Sequence, residues 1–347
     1  MRLVFREVWR VLAPTGTLWL NCGDAYSATG KSGGGRQGER WAAHGADVTG
    51  PRGGKWSPPP PGMKPKSLLG LPWRLALALQ SDGWILRSEI IWHKLNPMPE
   101  SVQDRPTRSH EQVFLFSKQG RYYYDGEAVR EPQSPQTAHK MPYGRSQGIK
   151  GSHSPNGLIQ EAATPSVLLP NGRAMRSVLS LASEPTPYAH FATFPTELVR
   201  KCLLAGAPQQ VCRACNKPWV RQVETSRVPH AHPPGPNGRQ NVPGQETSAT
   251  SCFRTGLVPV RTTTGFFPSC TCAAPTRTAR VLDIFAGSGT VGLVARELGH
   301  DAVCVDLSWQ YLSTIARERL GLAALDAWRH GAAPRVETFT DLPLFAG

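Results

Sequence analysis

The stretch ARVLDIFAGSGTVGLVARELGHDAVCVDLSWQYLSTIARERLG, residues 279–321, constrains the fold of this chain more than any other. Apolar runs and 3.6-residue stripes alternate along it as strand, helix, strand, helix, which is the βαβα unit of a parallel sheet. The strand ARVLDIF delivers the backbone to Gly287 and Gly289, where it can approach a ligand closely. A helix over Thr290 to Leu298 follows, with Gly299 as its stop. The next strand, AVCVD, ends at Asp306, 23 positions after Asp283. An acidic residue at about that spacing from a glycine turn is placed to hold ribose hydroxyls. The pattern predicts an α/β chain with a Rossmann-like sheet and helices on both faces.

Gly287, Gly289 and Gly292 fit G-x-G-x-x-G, which on its own reads as a dinucleotide site. An NAD-dependent oxidoreductase and a plain tight turn are the readings those glycines leave open. Asp283 argues against a pyrophosphate. It stands at the end of the strand, with Phe285 and Ala286 between it and the glycines. A carboxylate there repels phosphate and attracts an ammonium group. S-adenosylmethionine carries an ammonium and no phosphate, so the local chemistry favours that cofactor.

Upstream, MRLVFREVWRVL has a helical stripe of Phe5, Val8, Trp9 and Leu12, ended by Pro14 and Gly16. No capping side chain precedes that stripe. TLWLN (Thr17 to Asn21) is a short strand. A helix opens at Leu71 and Pro72 and ends at Gly83; Trp84 to Lys94 and Glu111 to Lys118 read as strands. Phe194 to Pro208 returns to an amphipathic helix. Between these lie a Gly/Pro-rich loop at 27–66, an aperiodic segment at 126–190 and a cysteine-bearing insert at 209–278. All are read as parts of one domain, 1–347. The net charge of +14 over 347 residues favours a polyanionic partner, most simply nucleic acid. No apolar run approaches the ~18 residues of a membrane span. With no signal-peptide pattern, a reduced, cytoplasmic protein is expected.

These segments together resemble the DNA amino-methyltransferases, which methylate adenine at N6 or cytosine at N4. VLDIFAGSGTVGLVARELGHDAVCVDLSWQYLSTIARERL is similar to their cofactor half. FREVWRVLAPTGTLWLNCGDAYS, WILRSEIIWHKLNPMPESVQDRPTRSHEQVFLFSK and FPTELVRKCLLAGAP resemble their remaining ordered parts. The order, with the cofactor loop last, is that of a permuted group. The resemblance implies that Asp283 faces the methionine amino group. It implies that Phe285, Ala286, Gly287, Ser288, Gly289 and Thr290 line the cofactor and that Asp306 binds ribose. Phe194 and Pro195 match the start of a helix capping the methionine end. Asp24 matches a position near the site, with a turn-forming role as the alternative. The resemblance favours cytosine N4 over adenine N6, DNA as partner, and a cognate restriction endonuclease.

The family's chemistry also calls for Asp, Ser or Asn, then Pro-Pro, then an aromatic. Oxygens there accept the hydrogens of the target amine, and the aromatic stacks on the flipped base. This motif is expected ahead of FREVWRVL and does not occur in the sequence. SPPPP (Ser57 to Pro61) has no aromatic after its prolines; NPMP (Asn96 to Pro99) lacks Pro-Pro. No catalytic residue is therefore assigned. An N-terminally shortened chain, with a sheet interrupted beside the Asp283 strand, is the expectation. A remnant that binds cofactor or DNA without turnover is the alternative.

CRAC places Cys212 and Cys215 at C-x-x-C spacing, and CTC places Cys270 and Cys272 at C-x-C. Two close pairs of thiolates suit a tetrahedral zinc site closing a long loop, against free thiols as the alternative. Cys252 is a spare ligand; Cys22, Cys202 and Cys304 sit in apolar contexts and read as core. The segment 126–190 is the expected target-recognition region.

Overall fold

The computed structural model describes residues 1–27, 62–132, 171–185, 194–229 and 257–322. Cys252, nearly all of the 27–66 loop and most of the 126–190 segment lie outside them. The described residues fall into two compact units: Met1–Tyr124 with Arg176–Pro218 and the chain from Cys270, and Asp125–Met175 with Trp219–Ser269.

In the first unit, helix α1 (Arg2–Val11) buries Phe5 and Val8. Its exposed arginines Arg2 and Arg6 both reach Asp82, which ends helix α2 (Leu71–Ser81). Strand β1 (Thr17–Cys22) follows the Pro14–Gly16 turn. With β2 (Ile85–Lys94), β3 (His110–Ser117) and β4 (Val178–Leu181) it forms a four-stranded sheet of order β1-β3-β2-β4. β1 and β2 run antiparallel to β3, and β4 runs parallel to β2. Alternation along β1 and β3 aims Leu20, Phe114 and Phe116 at α1 and α2. There they form one core with Phe5, Val8, Ala76, Leu79 and Trp84.

The cofactor-type half follows. Helix α3 (Thr196–Gly206) leads to the short strand β5 (Val211–Cys212). β8 (Thr276–Arg277) pairs with β5. β9 (Arg280–Asp283), helix α4 (Thr290–Glu297) and β10 (Asp301–Cys304) make a βαβ unit whose strands pair in parallel, in the register Leu282↔Val303 and Asp283↔Cys304. α3 and α4 pack on each other through Val199, Leu203, Val294 and Ala295, and Val281 of β9 joins them. Ile284, just past β9, packs instead against the α1–α2–β3 core. Among the described residues β1 pairs only with β3, and β9 only with β10. The expected last helix is a π-helical turn, Tyr311–Ala316, running into a short α5, Arg317–Arg319. The architecture is the expected Rossmann-like α/β type, with a mixed sheet.

The second unit is built around a two-stranded antiparallel ribbon, β6 (Trp219–Pro229) with β7 (Leu257–Pro268). Its first rung is Trp219↔Pro268, and the register shifts between Gln222 and Val223. Both Arg221 and Arg261 tie the ribbon to the 125–175 stretch. Arg221 grips the Asp125 carboxylate at 2.8–2.9 Å and lies 4.7 Å over the Phe266 ring. Arg261 pairs with Glu127 at 2.9 Å, and its backbone exchanges two 2.7 Å hydrogen bonds with the Asn171 side chain. The segments read separately as a target-recognition region and a cysteine-bearing insert thus contribute to one body. No helix among the described residues is long and apolar enough to cross a membrane.

Candidate cofactor site and cysteine cluster

The loop between β9 and α4 is shaped by its glycines. Gly287 and Gly289 have φ of +49° and +78°, a region that side chains disfavour. A Cβ on Gly289 would lie 3.1 Å from the Ala316 Cβ, and one on Gly292 would lie 2.9 Å from the Cys304 sulfur. Gly292 therefore lets α4 sit down on β10, the helix-to-strand approach its place in the pattern implies.

Two carboxylates bracket this loop. Asp306, two residues past β10, accepts the Gly287 amide at 2.7 Å through Oδ2 and the Ser308 amide at 2.8 Å through Oδ1. Each oxygen keeps a further lone pair. Asp283, at the end of β9, accepts the Phe285 amide at 3.0 Å through Oδ1. Its Oδ2 is buried and has no hydrogen-bond partner among the described residues. Burial pushes the Asp283 carboxyl above its ordinary range; the Phe285 amide opposes this and the Asp306 charge adds to it. Such a carboxylate lacks a cation. The orphaned oxygen fits the ammonium of a methionine moiety.

The other expected lining residues divide by burial. Ala286, Ser288 and Thr290 are buried, whereas the Phe285 ring is half exposed, free to meet a flat ligand. Ser288 and Thr290 face inward: Arg319 donates to their hydroxyls at 2.9 and 2.8 Å. They brace the loop from behind, and Arg319 of α5 is a supporting residue that sequence reasoning missed. Phe194 packs on the α3–α4 core, and Pro195 is fully buried at the start of α3. α3 is held to α4 by the Arg200–Glu297 ion pair.

Asp24 has a structural task. Its Oδ2 accepts the Gly70 amide at 3.1 Å and its Oδ1 the Leu71 amide at 2.9 Å. It caps the N-terminus of α2 from 46 residues away, where Gly70 offers no side chain.

The cysteine pairs come together. The sulfurs of Cys212, Cys215, Cys270 and Cys272 all lie within 4.8 Å of one another. Cys212 is buried on β5, and Cys215 lies in the turn that follows it. The Cys215 amide, followed by that of Ala214, points at the Cys212 sulfur and lowers its pKa to about 7. Cys272 is pushed the other way, to about 12, because its thiol donates to Cys215 and Cys270. Four thiols in one place cannot all ionise without a cation among them. The cluster fits one. Cys22, Cys202 and Cys304 stay apart from it, each at least partly buried.

Comparison with known proteins assigns the chain to a family. The family model for N6/N4 DNA methylases matches residues 1–210 and 276–317, leaving out the ribbon and its cysteine turns. The chain is 33% identical over 318 residues to the type II methyltransferase M.SmaI of Serratia marcescens, covering 91% of this chain and 71% of that one. It is 43% identical over 205 residues to M.Cfr9I of Citrobacter freundii, covering 58% of this chain. It spans only 54% of that relative's length. Among solved structures, PvuII DNA methyltransferase (cytosine-N4-specific) aligns with 90% of this chain and 67% of its own, at 13% identity and a TM-score of 0.44. With most of its length inside the family match, this chain belongs to the DNA methylase family of the N6/N4 type.

Proposed function

We propose that the protein binds S-adenosylmethionine at the β9–α4 loop and methylates an exocyclic amino group in DNA. The observation that carries the cofactor assignment is the buried Oδ2 of Asp283, unpartnered among the described residues, beside a left-handed glycine turn. Asp283 would hold the ammonium, Asp306 the ribose, and Phe285 the flat face of the adenine. Phe194 and Pro195, at the start of α3, would cap the methionine end. The bound cofactor supplies an electrophilic methyl on a sulfonium; the chain's residues orient it and neutralise its ammonium. Cytosine N4 is preferred to adenine N6 on the overall resemblance of the sequence. A basic chain of net charge +14 suits a DNA partner in the cytoplasm. A cognate endonuclease completes the proposal, in keeping with the type II designation of the relatives.

A second reading rests on a specific observation. The sequence has no Ser/Asp/Asn-Pro-Pro-aromatic motif; under this reading the chain would bind cofactor and DNA without turnover. Incubation with radiolabelled S-adenosylmethionine and DNA separates the readings. Label in DNA, located by mass spectrometry on N4-methylcytosine, supports the first. Cofactor binding with no label in DNA supports the second.

The cysteine cluster forms another part of the proposal. One zinc ion held by Cys212, Cys215, Cys270 and Cys272 would have an all-thiolate set, the kind found in closed structural sites rather than catalytic ones.

A further inference from the structure

The four cysteines stand at a particular place in the chain. The chain leaves the first unit after Pro218 and re-enters it at Cys270. Cys215 thus lies four positions ahead of Trp219, and Cys270 two positions beyond Pro268. Trp219 and Pro268 are the first rung of the β6–β7 ribbon. We infer that zinc at this cluster is a clamp on the ribbon's root, so that the metal governs the order of the second unit and leaves the cofactor site untouched. The inference rests on the zinc reading above.

Three observations carry it. Two-stranded ribbons are marginal in water without further support. Among the described residues each strand pairs with the other alone, and side support comes from Arg221 on Asp125 and from Arg261 on Glu127 and Asn171. Closing a loop of roughly fifty residues at its base removes a large share of the freedom such a ribbon has when unpaired.

The turns that carry the thiols are held in costly shapes. Among the described residues three non-glycine residues have left-handed φ, and two of them are Asn216 at +58° and Ala273 at +48°. Each directly follows a cysteine of the cluster. Strain of this kind persists where surrounding bonds over-determine it.

Hydrogen bonds hold the two turns to each other and to β8, and Asn216 donates back to the Cys212 carbonyl at 2.9 Å. Cys212 and Arg213 donate to Lys217 and Pro275 carbonyls at 2.9 Å, and Arg277 reaches the Asn216 side chain at 2.9 Å. β5 and β8 pair over two residues only. A tetrahedral zinc with Zn–S bonds near 2.3 Å needs sulfurs ~3.8 Å apart. The cluster, with its sulfurs already within 4.8 Å of one another, reaches that by a contraction of about an ångström.

The test uses the full chain, its zinc content measured by inductively coupled plasma mass spectrometry. Zinc is stripped with a mercurial and a chelator under reducing work-up, then restored as Zn(II) alone. Limited trypsinolysis reads cleavage at Arg221, Arg227 and Arg261, and calorimetry reads S-adenosylmethionine binding. The expected result is one zinc per chain. On stripping, cleavage at those arginines should rise at least tenfold, cofactor affinity should change less than twofold, and restored Zn(II) should reverse the cleavage. The Cys270→Ser/Cys272→Ser variant should behave like stripped protein, its retained cofactor binding showing that the first unit is folded. Zinc bound, but with cleavage unchanged when it is removed, overturns the clamp and leaves the zinc reading standing. A chain that takes up no Zn(II) overturns both. Loss of cofactor binding on stripping, with zinc restored or not, overturns the separation of the two sites.

Discussion

The Asp306 carboxylate accepts the Gly287 amide at 2.7 Å across 19 residues of sequence. This bond ties the end of β10 to the glycine turn that follows β9, so the two neighbouring strand ends hold the loop jointly. Asp306→Ala removes it, and with it the Ser308 amide's acceptor. A hydrogen bond to a charged acceptor contributes roughly 1.5–3 kcal/mol. We expect S-adenosylmethionine affinity to fall at least tenfold by calorimetry while the far-ultraviolet circular dichroism is unchanged. Affinity within twofold of the parent would show that the loop keeps its shape unaided.

Asp283 should behave oppositely in stability and in binding. Its folded pKa lies above its unfolded value because it is buried. The charged form therefore burdens the cofactor-free fold at neutral pH, and that burden is relieved as pH falls through the raised pKa. Asp283→Asn should melt no lower than the parent when free of cofactor. Its affinity for S-adenosylmethionine should fall roughly a hundredfold, on the order of 3 kcal/mol for a buried ion pair deprived of one partner. In the parent, affinity should decline as pH drops through the raised pKa, since the protonated acid cannot pair with the ammonium. An Asn variant that binds normally would remove Asp283 from the site.

Asp24→Ala should cost about 1 kcal/mol, because it leaves the Gly70 and Leu71 amides at the start of α2 without their acceptor. Chemical denaturation measures this as a lower midpoint with an unchanged slope. Since Asp24 acts on α2, cofactor affinity should stay within twofold. A large affinity loss with no change in midpoint would return Asp24 to the site.

The legible parts of this chain are those whose signals are local. β9, α4 and β10 announce themselves by apolar runs and by glycines whose positive φ the structure confirms at Gly287 and Gly289. The thiol pairs were legible as pairs, since C-x-x-C and C-x-C spacings already place two sulfurs together. Long-range partners were not. The cap of α2 comes from 46 residues upstream, and the brace behind Ser288 and Thr290 comes from Arg319, 29 residues past the nearer of them. β4 is four residues long, too short for a period to register. The β6–β7 ribbon had a signal in the alternating Val and Thr of WVRQVETSRV and VRTTTG. It was obscured by its setting inside a cysteine-bearing insert, and only the pairing register reveals it.

His300 carries the last prediction. It follows Gly299, the left-handed residue that ends α4, and its amide donates to the Ala295 carbonyl at 2.8 Å. That closure turns its imidazole inward, to 6% exposure, and neither ring nitrogen has a partner among the described residues. Burial lowers its pKa, with Asp301 opposing in part. The unfolded chain therefore takes up the proton first, at the ordinary histidine value of about 6.5. Folding stability should fall as pH drops through that value and continue to fall until the depressed folded pKa is reached. His300→Leu keeps the apolar contact and removes the proton site. Urea midpoints at pH values of about 7.5, 6.5 and 5.5 should decline for the parent and decline less for the variant. Parallel declines would mean that His300 finds a hydrogen-bond partner in solution and that other groups set the acid side of the stability curve.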